Sequence, residues 1–328
     1  MNVFSADVSM LMPKIDQSTY ERFRLRYSGL EHELAKRSLT SFFAESHTSY
    51  QADTNSFKGV FQADMTELAS YGVSTVVRDL TMGLQDQPLH TSESKVVHTP
   101  SFNRFIADKR EIFRRIPDLH PPTIELDHLS LHAAADLLEG DHMIIKPTTG
   151  QLSKGISIVT KTELDTLDLK PGTYLVQELL DTGVGVLDLG VKGVHNIRVI
   201  SVGLKAVGAI VREGGSGARM LLDDVYGEVF SMDKLPDTMV RITEKVHESL
   251  ATLPGAEQGV IAIDLMRGRD HTGNVRDVLC EINRRPMRIS GYDALKTKNS
   301  DPDGIIWLAN QWDTHEADML AAAVSRQV

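Results

Sequence analysis

Three groups of residues in this sequence could do chemistry together. The first is the segment Ile144–Val159, IIKPTTGQLSKGISIV, in which an apolar run ends in Lys146, a loop of small and polar residues follows, and a second apolar run closes it. Such a loop leaves backbone N–H groups free to fold over phosphate oxygens, and a lysine at its base adds a point charge. Gly150 and Gly155 allow close approach of backbone to ligand. The segment is not a Walker A loop, because Ile156-Ser157 follows Gly155 where Lys-Ser/Thr is required. No Gly-x-Gly-x-x-Gly dinucleotide fingerprint follows a strand, and the protein-kinase motifs are missing. A plain glycine hairpin with a surface lysine is the alternative reading.

The second group lies near the C-terminal end. Alternation along two apolar runs puts Asp264 on a face with Ala262 and Met266, and Glu281 on a face with Leu279 and Asn283. A turn centred near residue 272 sets Asp264 opposite residue 280, within one or two positions of Glu281 and Asn283. Two carboxylates and an amide oxygen are hard ligands that suit Mg²⁺. The alternative is that these acids are solvated or salt-bridged to Arg284 and Arg285. The third group is a hairpin over 197–212 with a three-residue turn, Gly203-Leu204-Lys205, which pairs Asn196 with Arg212 and sets Arg198 diagonal to Arg212 on one face. Two guanidiniums on one sheet face call for an anion between them. Neutralisation by Glu213, Asp223 or Asp224 is the alternative.

The elements that must carry these groups follow from periodicity. Residues 1–95 are the least legible: Gln17–Lys36 reads as partly helical, Thr66–Tyr71 as the end of a short helix, Gly72–Leu80 as turn plus strand, and Gly83–Ser94 as a linker. Val96-Val97 is a short strand. The apolar spacing of Phe102–Ile116 predicts one amphipathic helix, ended by Pro117 and the Pro121-Pro122 pair. A second helix covers Leu129–Leu138. Strands are expected at 143–146, 156–160, 174–179, 259–266 and 275–283, with a helix within Ser231–Leu253 and another over Gly304–Ala323.

Composition narrows the class. Of 328 residues, 41% are hydrophobic and 24% charged, so the chain can bury a core. The net charge of −10 speaks against a broad nucleic-acid-binding face. A single cysteine, Cys280, allows neither a disulfide framework nor a cysteine zinc site. With no signal-like start and no run of ~20 apolar residues, a soluble cytoplasmic protein without a membrane partner is expected.

The order of these features carries a resemblance: a helix with Lys109, a strand ending Lys146-Pro147, a glycine loop, a strand ending Gln177-Glu178-Leu179-Leu180, Asn196-Ile197-Arg198, an arginine strand, an Asp264 strand, then Glu281-Ile282-Asn283. This resembles the ATP-grasp superfamily over about 100–290, most closely its glutathione synthetase and ribosomal-protein glutamate ligase branch. The resemblance implies an α/β (α+β) fold with an N-terminal pre-ATP-grasp substrate domain over 1–95 and two α+β subdomains, 96–180 and 181–328, clasping ATP. It implies an ATP-dependent carboxylate–amine ligase working through an acyl-phosphate, with ATP and Mg²⁺ (or Mn²⁺) as cofactors. Small-molecule or peptide acids and amines would be the partners, and a homodimer the assembly. A small-molecule kinase and a non-catalytic nucleotide-binding module are the alternatives.

Residue by residue, the resemblance assigns Lys109 to the α-phosphate and Lys146 to adenine and phosphate. The loop 149–155, with Gly150, Ser153, Lys154 and Gly155, would cover the phosphates. Gln177–Leu180 would form the interdomain edge where backbone of Glu178 and Leu180 meets adenine, with Asp181, or its rival Asp188, at the ribose. Arg198 and Arg212 would hold the transferred phosphoryl group and the acyl intermediate, and Asp264, Glu281 and Asn283 the metal. Two departures stand out. Asn196 replaces a frequent Asp, and Arg284-Arg285-Pro286-Met287 replaces the family's small-residue-Pro-Gly ending. The second points to an anionic substrate held by Arg285 or Arg288, with Asn196 nearby, or to a surface arginine pair.

Overall fold

The computed structural model describes residues 3–12, 17–45, 50–51, 56–62, 67–79, 96–97, 99–126, 130–150, 155–167, 169, 174–214, 226–284 and 301–327. They form three sheets. The first is built by β1 (Val3–Met12), β2 (Ser41–Glu45), β3 (Tyr50–Gln51), β4 (Ser56–Phe61), β5 (Glu67–Asp79) and β6 (Val96–Val97), in the order β3-β4-β2-β1-β5-β6. Its centre is parallel, and helix α1 (Gln17–Lys36) makes the crossover from β1 to β2. Continuous β5 replaces the helix end and turn expected from Thr66 to Gly72 over the part of that span that is described, 67–72. Gly72 is there for space rather than for a turn: a Cβ on it would lie 2.5 Å from Val60 Cγ1 and 3.0 Å from Phe42 Cζ. The expected linker 83–94 lies outside the described residues.

The single helix expected over 102–116 is two. Helix α2 (Pro100–Ala107) ends at Asp108, and Asp108 then caps α3 (Lys109–Arg115) by accepting from the Arg110 N–H at 2.9 Å. Asp108 is extended, at φ −97° and ψ 109°, so the apolar spacing runs straight through a break in the helix. The break makes Lys109 the first residue of a new helix, its backbone N–H donating to Thr148 O at 2.8 Å. A side chain in the middle of a longer helix would have no such tether.

The second sheet has β7 (Thr123–Leu126), β8 (His142–Pro147), β9 (Ser157–Thr160) and β10 (Tyr174–Glu178), in the order β7-β10-β8-β9, with α4 (Leu131–Asp136) against it. The third has β11 (His195–Val202), β12 (Lys205–Glu213), β13 (Tyr226–Phe230), β14 (Val260–Arg269) and β15 (Val275–Arg284), in the order β13-β12-β11-β14-β15. Helix α5 (Asp237–Leu250) packs on one face of this sheet, against Ile197, Val199, Val211, Ile263 and Leu265. Helix α6 (Pro302–Ser325) packs on the other, against Ile200, Val202, Ile210 and Ala262, in a core shared with α1 and the first sheet.

Two local irregularities set register. Gly203 and Leu204 have φ of +57° and +63°, the signature of a two-residue type I′ turn rather than the expected three-residue one. A shift between Ile200 and Ser201 then restores the expected Asn196–Arg212 pair. In β14–β15, Leu265 pairs with Leu279 but Asp264 pairs with Glu281, so Cys280 is an extra residue on β15. Among the described residues no helix is long and apolar enough to cross a membrane.

Trp312 on α6 sits 1% exposed at the junction of the first and third sheets, its Nε1–H donating to Glu316 Oε2 at 2.8 Å. Trp312→Ala should lower the unfolding free energy by about 3–5 kcal/mol, because it opens a large void there and removes a hydrogen bond from the buried Glu316 carboxylate. Denaturant titration followed by circular dichroism would measure the loss, and a change under 1 kcal/mol would show that α6 is not part of the cooperative core.

Candidate functional site

Lys146, at the end of β8, is 6% exposed. A buried ammonium needs acceptors, and its Nζ donates to Gln177 Oε1 at 3.0 Å and to the Cys280 carbonyl at 3.4 Å. Gln177, on neighbouring β10, is held in turn by its own Nε2–H to Thr123 Oγ1 at 2.7 Å. Lys146 therefore spans the second and third sheets. Lys109 lies beside it, with its Nζ 3.3 Å from Gly150 O at the start of the glycine loop. Burial holds the Lys109 pKa below the usual lysine value, Glu281 opposes that shift and the Lys146 charge adds to it. Two lysines from elements 37 positions apart are thus brought together next to a carboxylate of the third sheet.

The acidic group is built by the extra residue in β15. Plain alternation would put Glu281 on the face of Leu279, which packs against α5. The bulge at Cys280 turns Glu281 to the other face, directly across from Asp264, with Asn283 across from Ala262. The expectation that Leu279, Glu281 and Asn283 share a face is corrected on this ground. Asp264 is 1% exposed. Its carboxylate takes a two-pronged bond from Arg198, Nε–Oδ1 at 2.8 Å and Nη2–Oδ2 at 2.7 Å. The Asn283 Nδ2 donates to Asp264 Oδ2 at 2.8 Å and to Glu281 Oε1 at 3.0 Å. Arg198 is therefore matched by Asp264 rather than by Glu213, and Asp223 and Asp224 lie outside the described residues. Arg212 stands across from Asn196 in register, on the face that bears Arg198. Asn196 is buried, and its Oδ1 has no hydrogen-bond partner among the described residues.

The edge Gln177–Asp181 lies between the second and third sheets. Glu178 is 2% exposed and Leu180 4%, and a Cβ on Gly268 of β14 would come within 2.6 Å of Leu180 Cβ. Asp181 forms a reciprocal backbone bridge with Arg269, and its Oδ1 accepts from the Gly183 N–H at 2.9 Å, so its carboxylate caps the turn that follows. Asp188 sits 3.4 Å from Arg267. Gly155, at φ +76°, lies against Pro147, where a Cβ would come within 2.9 Å of Pro147 Cγ. Ser153, Lys154, Arg285 and Arg288 lie outside the described residues.

Several residues here escaped the sequence reading. Cys280, notable in sequence only as the lone cysteine, supplies both the bulge and a carbonyl to Lys146. Burial pushes its thiol up to about 12. His120 is held down to about 3 by burial and the nearby Lys146 charge. The His195 ring bridges Gly193 O and the Arg267 N–H at 2.8 and 3.1 Å.

These pKa directions give two outcomes. At pH 8 a thiol of pKa about 12 is ionised in about one molecule in 10⁴, so native Cys280 should resist iodoacetamide while the denatured chain reacts, as intact mass will show. His120 at about 3 and His247 at about 4, the latter lowered by burial beside Ser201, stay neutral in the fold while the unfolded chain takes up protons near 6.5. The unfolded state then binds more protons between those values, so stability should fall as pH drops from 6.5 towards 4. His247→Gln should flatten that slope in denaturant melts taken across the range.

No protein-family model matches the chain, and no curated protein matches its sequence. Solved structures do. A RimK-domain ATP-grasp protein from Sphaerobacter thermophilus aligns over 95% of this chain and 99% of its own, at TM-score 0.52 and 14% identity. The D-alanine–D-alanine ligase from Bacillus anthracis aligns over 98% and 97%, at TM-score 0.54 and 14% identity. The ATP-grasp ligase PsnB, solved with a minimal precursor, aligns over 96% and 98%, at TM-score 0.54 and 14% identity. The likeness runs through almost the whole chain in each case, so the fold is ATP-grasp.

Proposed function

We propose that this ATP-grasp chain is an ATP-dependent carboxylate–amine ligase that forms an amide bond through an acyl-phosphate and releases ADP and phosphate. The observation that carries the reading is the meeting of Lys109 and Lys146 with Glu281, which joins the lysines of the phosphate-loop side to the acidic face of the third sheet. The structural neighbours named as ligases support it by analogy of fold.

The residues present fit a divalent cation once Arg198 releases the Asp264 carboxylate that it holds by two bonds. Asp264 and Glu281 face each other across β14–β15, and the Asn283 amide, which now donates to both, offers a carbonyl oxygen once turned over. Two carboxylates and one amide oxygen are a hard donor set that leaves room for water and phosphate oxygens, as Mg²⁺ prefers. A magnesium ion held by Asp264, Glu281 and Asn283 would supply neutralisation of phosphate charge; Mn²⁺ would serve in its place.

The chain's own residues do the rest. Lys109 and Lys146 bind phosphate oxygens, with Lys146 oriented by Gln177 and the Cys280 carbonyl. The loop 149–155, with Gly150, Ser153, Lys154 and Gly155, covers the phosphates and keeps water from the activated acid. Backbone of Glu178 and Leu180 meets adenine, with Asp181 at the ribose. Arg198 and Arg212 hold the transferred phosphoryl group in line with the acid, so catalysis is positioning and charge stabilisation rather than covalent help. Asn196, Arg285 and Arg288 line the acid or amine subsite, the two arginines suiting an anionic substrate. The substrates are small molecules or peptides, and the protein is a cytoplasmic homodimer.

ADP should appear only when an acid and an amine are supplied together. A stable phosphorylated product without amine would mark a kinase, and AMP with pyrophosphate would sink the acyl-phosphate route. Glu281→Ala should abolish Mg²⁺-dependent turnover with circular dichroism unchanged. Arg212→Ala should lower kcat by about 10²–10³ while changing ATP affinity little, as expected for a group that acts on developing charge. Equal loss of both would make Arg212 a nucleotide-binding residue instead.

A further inference from the structure

The turn between β14 and β15, Asp270-His271-Thr272-Gly273-Asn274, reaches across to the second sheet and touches the edge that ends β10. His271 Nδ1 lies 2.7 Å from Glu178 Oε1, and its backbone N–H donates to the same oxygen at 3.3 Å. Its Nε2 lies 3.1 Å from Glu139 Oε2, on the segment leading into β8. The side chain of Glu178 is 2% exposed, while that of Glu139 is 81% exposed, so the Glu178 contact is the consequential one. A second feature is built around the same carboxylate. A Cβ on Gly140 would lie 3.1 Å from Glu178 Cγ and 3.3 Å from Oε1, so the absent side chain there leaves room for the group His271 grips.

Resting on the ligase reading above, in which Glu178 and Leu180 backbone meets adenine, we infer that His271 is a positioning residue for the adenine slot. It fixes the Glu178 carboxylate and with it the backbone that the base contacts, and because it belongs to the third sheet while Glu178 belongs to the second, it also fixes the width of the slot between them. The turn can bear this load because it is itself tied: Asp270 Oδ1 accepts from the N–H groups of Thr272 and Asn274, both at 3.0 Å. The Asp181–Arg269 bridge and the close approach of Gly268 to Leu180 hold the same edge from beside it.

The protonation state matters to the grip. A charged imidazole donates from both nitrogens, one to each carboxylate; a neutral one must turn a lone pair towards an acid. Glu178 from β10 and Glu139 beside α4 face the ring, and Asp270 shares its turn. The bond to Glu178, followed by the charges of Glu178 and Glu139, holds the His271 pKa above the usual histidine value. The grip is therefore complete below about 6.5 and is lost as pH rises through that raised value.

The test uses the full chain with Mg²⁺, titrated separately with ATP and with inorganic tripolyphosphate, which carries the phosphates without the base. His271→Ala should weaken ATP by about tenfold, leave tripolyphosphate affinity unchanged, and in turnover raise the KM for ATP with kcat nearly constant. Wild-type ATP affinity should fall from pH 6.5 to 9. His271→Arg, always charged, should restore affinity and remove that pH dependence. Wild-type ATP affinity in His271→Ala, or an equal loss for tripolyphosphate, would overturn the inference while leaving the ligase reading in place. A wild-type chain that binds neither ligand would overturn the reading, and this inference with it.

Discussion

One extra residue in a strand determines what the third sheet can do. Without Cys280 as a bulge, the alternation of β15 would carry Glu281 to the α5 face together with Leu279, and Asp264 would look across at a thiol. With it, Leu279 stays in the apolar layer and Glu281 crosses to the face of Asp264. The displaced backbone is not idle, because the Cys280 carbonyl it frees accepts from Lys146. Bulges interrupt a ladder at some cost and persist where they re-aim a side chain. Here one irregularity aims a carboxylate and supplies an acceptor for a buried ammonium from another sheet.

The same face of the sheet has two characters along its length. At the end near the β11–β12 turn, Ile200, Val202, Val260 and Ala262 meet α6 and close the core shared with the first sheet. Further along, the inward positions become Arg198, Asn196, Asp264 and Arg212. Gly208 marks how tightly the apolar half is filled, since a Cβ there would lie 2.7 Å from Leu308 Cδ1 of α6. A polar group set next to such packing cannot wander. Asp264 at 1% exposure is tolerable only because Arg198 and Asn283 satisfy it from two sides. The sheet side of the site is thus held in place by its packing and its paired charges.

What the sequence made legible, and what it hid, follows from the range of the interactions. Most strands and helices after residue 95 were readable because apolar period reports burial directly, whereas the short edge strands β7 and β13 were not expected. The Asn196–Arg212 pairing was readable because the β12 irregularity cancelled the misread turn. Asp108 was not, because one residue can break a helix without disturbing the apolar spacing on either side. The bulge at Cys280 was not, because register is settled by both strands and their neighbours together, while alternation sees one strand at a time. Gly72 misled because a glycine that makes room for Phe42 looks the same in sequence as one that makes a turn. His271 gave no sign at all: its partners are 93 and 132 positions away and meet it only when two sheets come together.

The charge pattern then reconciles an acidic chain with the polyanionic ligand of the proposed function. The whole molecule carries −10, which opposes the long-range approach of a triphosphate. At ordinary ionic strength that opposition is screened beyond about 8–10 Å, so affinity is decided inside the cleft. There Lys109, Lys146, Arg198 and Arg212 face Asp264 and Glu281, four cations against two carboxylates. Glu178, a third acid at the edge, is matched by His271. The local balance is positive and held in partly buried surroundings, where each charge acts more strongly than it would in water. The inward-facing cations of two sheets are thus gathered in one place, against the acidic balance of the chain as a whole.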